Sequence, residues 1–171
     1  DGTDQLTSVE ALTFGGVAWP LDIFDNVADL SEQAFRDFIN LERYSQPDTV
    51  ILIHDCYPPN EHAASPRKEY PTKAIKLKEG WKGAWCGDVW KSIHYLTKTL
   101  DKKLHISVLD SDYGLGIITL NSSLDSSHKI DEALFNEILK LDYNHLMDDP
   151  EKLINLIDSK PFSLDNFNIK F

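Results

Sequence analysis

Cysteine is scarce: Cys56 and Cys86 are the two in 171 residues. They allow one disulfide at most, which excludes a disulfide-stapled scaffold, and free thiols in a reducing cytosol are the expectation. Basic residues are also few. Lys plus Arg number 17 against 28 Asp plus Glu, a formal net charge of −11. Such a chain is repelled by phosphate backbones, so nucleic acid is not an expected partner. Long apolar runs are missing, and nothing approaches the ~18 residues of a bilayer span, so no membrane partner is expected. The chain has no Gly-x-Gly-x-x-Gly opening a helix, no Walker loop, no Gly-x-Ser-x-Gly elbow and no Cys-x-x-Cys pair. Its start, Asp1-Gly2-Thr3, lacks a Met, a basic stretch and an apolar stretch. That predicts a form without a signal peptide, either a processed product or a piece of something longer, and a cytoplasmic location.

What is present reads as one α/β domain. Hydrophobic residues make up 42% and charged residues 26%, a globular balance, and the length suits a single domain. Pro20–Phe24 is a short strand candidate that ends in the turn signal Asp25-Asn26. Ala34, Phe35, Phe38, Ile39 and Leu41 recur at helical spacing, with charges on the other face, which predicts a helix over about 31–44 capped by Asp29 or Ser31. Thr49–Ile53 is apolar and β-branched on successive positions, the pattern of a central strand buried on both faces. Strand, helix and buried strand in sequence predict a parallel pair made by Pro20–Phe24 and Thr49–Ile53.

The stretch 54–84 is a long, proline-rich irregular segment, and such segments are usually functional. Its part from Glu61 to Lys78 carries His62, Arg67, Lys68, Lys73, Lys76 and Lys78, a basic cluster in an acidic chain. A helix over 88–99 follows, with Asp88 as its cap. Then come strands Leu104–Leu109 and Leu115–Leu120, joined as a hairpin by the turn Asp110–Gly114. His105 faces away from the apolar side of its strand and is expected on the surface. After a Ser/Asp-rich loop at 121–129, helices are predicted over about 130–141 and 150–158, the second opened by Asp149-Pro150. The core is expected over about 20–121, with a helical extension from about 130 to 171.

Several constellations could carry chemistry. His54-Asp55-Cys56 directly follows the buried strand, where ligands of open α/β sheets bind. Acid/base work is one reading, and a hydrogen-bonded pair beside a packed Cys56 is the plain one. Asp25, Asn26 and Asp29 follow the preceding strand. Beside His54 and Asp55 they offer ligands to a divalent cation, but with no tight metal-ligand spacing, and turn and cap duties are the plain alternative. Trp85-Cys86-Gly87-Asp88-Val89-Trp90-Lys91 offers an aromatic wall at a helix N-terminus, or else a capped helix whose tryptophans pack the core. Asp112-Tyr113-Gly114-Leu115-Gly116 has two glycines at a hairpin turn, without the strand-before, helix-after order that a phosphate loop needs.

Taken together, Pro20–Phe24, Ala34–Arg43, Val50-Ile51-Leu52-Ile53-His54-Asp55-Cys56-Tyr57-Pro58, Gly87-Asp88-Val89-Trp90-Lys91 and Gly114…Gly116-Ile117-Ile118 resemble the C-terminal half of class I S-adenosylmethionine-dependent methyltransferases. The type is that often seen with bacterial sugar and polysaccharide biosynthesis, and the likeness covers about residues 20–121. It implies a three-layer Rossmann-like mixed sheet, with Pro20–Phe24 as fourth strand, Thr49–Ile53 as fifth and the hairpin 104–120 as the last two, giving an antiparallel edge. It also implies S-adenosylmethionine as cofactor and O-methylation of a sugar or related small molecule. His54 would be the base, oriented by Asp55. Tyr57, Trp85, Asp88 and Trp90 would contact the acceptor, with a substrate loop within 57–86.

Where such enzymes tend to read Phe-Ile-Asp-Gly-x-His after the fourth strand, this chain reads Phe24-Asp25-Asn26-Val27-Ala28-Asp29. Asn26 and Asp29 then stand at the cofactor-binding positions. The glycine-rich cofactor turn is absent, because the residues before Pro20 are too few to hold it. In an active enzyme the other half would come from a longer chain, a partner or a dimer mate. A second expectation is a non-catalytic methyltransferase-like domain that works by binding, its bare fourth-strand edge paired by Val9–Phe14 folded back or by a second copy. A third is a small metal-dependent hydrolase built on His54, Asp55, Asp25 and Asp29.

Overall fold

An apolar stripe builds the first helix, α1 (Leu30–Glu42). Ala34, Phe35 and Phe38 lie on its buried face, and Ile39 and Leu41 flank them half-buried. The computed structural model describes residues 30–42, 44–46, 49–66, 84–100, 102–120 and 131–160. The stretch Val9–Phe14, the expected strand Pro20–Phe24, Asp25, Asn26, Asp29, the basic residues Arg67 to Lys78 and the loop 121–129 lie outside the described residues.

Strand β1 (Val50–Ile53) follows, then helix α2 (Trp90–Leu100) and strands β2 (Leu104–Leu109) and β3 (Leu115–Leu120). Three short helices come next, α3 (Glu132–Leu139), α4 (Tyr143–Asp148) and α5 (Pro150–Ile154), and then strand β4 (Leu156–Ile157). The fold is mixed α/β, with a four-stranded sheet in the order β1-β3-β2-β4. β3 runs antiparallel to both β1 and β2, in the registers Ile53↔Gly116 and Leu109↔Leu115, while β4 lies parallel to β2. The hairpin expected over 104–120 is present, and β3, its second strand, separates β1 from β2.

Two expectations change. Ile51 and Ile53 are buried but Val50 and Leu52 only half so, so β1 is not buried on both faces. The strand expected parallel to it lies outside the described residues, and among those described β1 pairs with the antiparallel β3. The single helix expected over 150–158 ends at Ile154. Asn155, at φ +52°, turns the chain into the left-handed region. Its side-chain amide donates to the Ile106 carbonyl at 3.1 Å, and its own carbonyl accepts from Val108 N–H at 3.1 Å. The chain past it is thereby recruited to the sheet as β4. Helix α4 was not expected. It rests on a capping box, with Asp142 accepting from the His145 N–H and His145 Nδ1 reaching back to the Asp142 N–H.

Phe35, Tyr95 and Phe135 join α1, α2 and α3 edge-on. Ring centroids are 4.8 Å apart for Phe35–Tyr95 and 5.3 Å for Tyr95–Phe135, and the Tyr95 hydroxyl accepts from the Asp131 N–H at 2.8 Å. Phe135, Ile138, Leu146 and Ile154 belong to the same core as β1 and α2. Among the described residues, no helix is long and apolar enough to cross a membrane.

Candidate active site

The site grows from the exit of β1. Ile53 is the last residue of β1 in the ladder, opposite Gly116, and the next hydrogen bond across is Cys56 N–H to the Gly114 carbonyl at 2.9 Å. His54 and Asp55 therefore stand opposite Leu115 alone, as a bulge, and Asp55 absorbs it with φ +66°. Bulges re-aim side chains. Here the outcome is a His54 Nδ1–Asp55 Oδ1 contact of 3.1 Å.

The other side of the imidazole is met from the hairpin. Asp112 Oδ2 lies 3.1 Å from His54 Nε2. The turn that carries it closes with Gly114 N–H donating to the Ser111 carbonyl at 2.8 Å. Its central residues, Asp112 and Tyr113, both have positive φ, +47° and +61°, the pattern of the primed turns that suit hairpins. Tyr57 N–H donates to the Tyr113 carbonyl at 2.7 Å, which ties the turn to the strand exit. Gly114 is required there. At φ +90°, a Cβ on it would sit 2.2 Å from the Tyr57 nitrogen.

Burial grades across the trio. The Asp55 side chain is 16% exposed, His54 37% and Asp112 77%. Burial raises the Asp55 carboxyl above its ordinary range, partly offset by the His54 charge and by hydrogen bonds from the Cys86 thiol and His54. The Cys86 thiol is driven far upward by burial and by the neighbouring Asp55 charge, and Cys56 far upward by burial. Both cysteines are free and buried. Held as thiols, they are hydrogen-bond donors rather than nucleophiles: Cys56 Sγ donates to the Ile53 carbonyl at 3.2 Å. Asp55, Asp112 and Tyr113 are three of the four non-glycine residues with positive φ among those described. Such strain, ~1–2 kcal/mol per residue, gathers at functional sites.

No protein-family model, curated protein or solved structure matches this chain.

The remaining candidates separate into two groups. Tyr57 and Trp85 are half-buried near the surface, and Trp85 Nε1 donates to the Ser65 carbonyl at 2.8 Å. Asp88 and Trp90 are interior instead, each 1% exposed. Asp88 Oδ2 lies 3.6 Å from Lys91 Nζ, which also donates to the Leu139 carbonyl at 2.8 Å, at the C-terminal end of α3. The Gly-Asp-Val-Trp-Lys stretch thus serves packing and helix anchorage, and the expected wall of Trp85 with Trp90 does not form an open surface. His105 is exposed, as its place in the strand foretold.

A single cation cannot be shared by the trio, because Asp55 and Asp112 meet opposite nitrogens of the ring. Among the described residues no group of three or more His, Cys, Asp or Glu is disposed around an ion. Asn26 and Asp29, implied for the cofactor, lie outside the described residues, as does Asp25. A cavity of about 270 Å³ lined by Thr97, Leu104, His105, Ile106, Ser107 and Asn155 involves none of the trio. Asp112 reads in the sequence only as part of a poor phosphate loop and is not joined there to His54. Its signal was an acidic residue in a hairpin turn, and only the pairing of β3 with β1 shows where that turn arrives.

Proposed function

We propose that the chain is a methyltransferase-like α/β protein of Rossmann type that activates the methyl acceptor, with His54 as general base. The observation that carries this reading is the imidazole held at a strand exit between Asp55 and Asp112. Its position beyond the carboxyl end of a strand supports the reading. So does the sheet order, in which the hairpin 104–120 joins β1 through its antiparallel strand β3. Asp55 accepts from Nδ1–H and fixes the tautomer, so Nε2 is the nitrogen that takes the proton of an acceptor hydroxyl. Tyr57 and Trp85 contact the acceptor, a sugar or related small hydroxyl compound. S-Adenosylmethionine, when bound, supplies the methyl group, and Asn26 and Asp29 are its proposed contacts.

Calorimetry of the full chain with S-adenosylmethionine tests this. Heat of binding is expected, and His54→Gln is expected to lower methyl transfer by roughly 10²–10⁴-fold with binding retained. A folded protein that gives no heat at saturating cofactor would remove the enzymatic reading. A non-catalytic binding domain is the second reading, favoured by β1 having one strand partner among the described residues. Bare strand edges recruit partners. A dimer in light scattering, together with no cofactor heat, is its expected signature, and a strict monomer counts against it.

A further inference from the structure

We infer that Asp112 is a displaceable latch on His54, covering Nε2 until an acceptor hydroxyl takes its place. The inference rests on His54 being the base, and it gives Asp112, which that reading only places beside the ring, a role of its own. The two carboxylates on the ring are not equivalent. Asp55, 16% exposed, is enclosed, and it also accepts the Cys86 thiol hydrogen bond. Asp112, 77% exposed, makes its contact at the water-facing nitrogen. With Nδ1–H donated to Asp55, Asp112 is held at Nε2 only while that nitrogen also carries a proton, as imidazolium. The neutral ring that acts as base has its lone pair on Nε2 and no N–H there for Asp112 to accept. Asp112 stands where the incoming hydroxyl must stand. An exposed ion pair is weakly held and easily replaced, whereas the Asp55 contact is shielded from water.

The hinge of such a latch is the side chain rather than the loop. Tyr57 N–H to the Tyr113 carbonyl, and Gly114 against the Tyr57 backbone, pin the turn at 2.7 Å and by close approach. Rotation about the Asp112 side-chain bonds is free in solvent. The turn conformation does not demand an aspartate either. Asn and Gly suit positive φ at least as well, so Asp112→Asn and Asp112→Gly leave the backbone in place.

Carbethoxylation by diethyl pyrocarbonate reads the cover directly, because it needs an accessible, unprotonated ring nitrogen. The rate at His54 is measured by peptide mass spectrometry on the full chain and normalised to His145. His145 is exposed and bonded to Asp142 through Nδ1, away from the site. Folding of each variant is checked by circular dichroism. Asp112→Gly is expected to raise the normalised rate about 5-fold, equivalent to about 1 kcal/mol of contact. Asp112→Asn keeps the volume without the charge and is expected to raise it less. Asp55→Asn alters the ring's charge environment without uncovering Nε2, so a smaller rise than in Asp112→Gly is expected. An unchanged rate in Asp112→Gly overturns the latch. An equal rise in Asp55→Asn also overturns it, since charge rather than cover would then set the reactivity. The labelling uses no cofactor. A failed calorimetric titration therefore leaves its result standing, and a failed latch leaves the cofactor titration unaffected.

Discussion

Asp55 holds its charge in a place that half excludes water. Its carboxyl is raised above the ordinary 3.8 by burial, which outweighs the favourable His54 charge and the thiol hydrogen bond. A carboxyl that binds its proton more tightly when folded destabilises the fold while ionised. Its contribution improves as pH falls through the folded value and is fully recovered below the unfolded one. Asp55→Asn removes the charge, and asparagine tolerates φ +66°. At pH 7 that variant is expected to melt at or above the wild-type temperature, and the difference is expected to fade as pH falls toward 3.8. Thermal melts across that range check it. A variant that is less stable at pH 7 would mean that pairing with His54 outweighs burial. If the variant is the more stable, the carboxylate that orients His54 is retained at a cost, as an active-site group often is.

At the scale of elements, the hairpin tip shows the same exchange. Asp112 and Tyr113 occupy the positive-φ centre of a tight turn and are both exposed. Packing does not require either of them there, and Asn-Gly is the sequence such a turn favours. Replacing the pair by Asp112→Asn with Tyr113→Gly is expected to relieve about 1 kcal/mol of strain, raising the melting temperature by roughly 2–4 °C. The same replacement loses the carboxylate contact with His54. A fall in melting temperature would mean that the exposed pair contributes packing. Helix α2 works differently. Lys91 reaches the C-terminal carbonyl of α3, and His94 Nδ1 meets the Leu153 carbonyl at 2.9 Å, so this helix clamps the later helices to the sheet. Burial lowers the His94 pKa below its ordinary value, in keeping with a neutral ring in the interior.

Across the whole molecule, residues 131–160, after the hairpin, are part of the core rather than an appendage. Phe135, Ile138, Leu146 and Ile154 are buried against α1, α2 and the sheet, and β4 extends the sheet beyond β2. Burying each such side chain is worth about 1.5–3 kcal/mol, against a net stability of about 5–15 kcal/mol for an ordinary domain. A chain ending at Leu120 is therefore expected to show no cooperative thermal transition by circular dichroism. A sharp transition in that truncated chain would show that residues 20–121 suffice, as the sequence reading of core and extension supposed.

Much of this was legible in the residues. The helical spacing of Ala34, Phe35 and Phe38 gave α1, and the turn Asp110–Gly114 between apolar alternations gave the hairpin. His54 and Asp55 were located as neighbours at a strand exit because adjacency in the chain fixes adjacency in space there. Helix α4 escaped because it is six residues long and buries only Leu146, too little for a period to emerge. Strand β4 escaped because two residues carry no alternation, and what places them is the left-handed Asn155. The amino-acid order by itself determined most of the local elements, the free state expected of the two thiols, and the imidazole beside its first carboxylate. The tertiary structure alone decided that β3 lies between β1 and β2, that Asp88 and Trp90 face inward, and that Asp112 closes on Nε2. Periodicity reports which face of an element is buried, while strand order and the meeting of distant turns depend on how all the buried faces fit together at once.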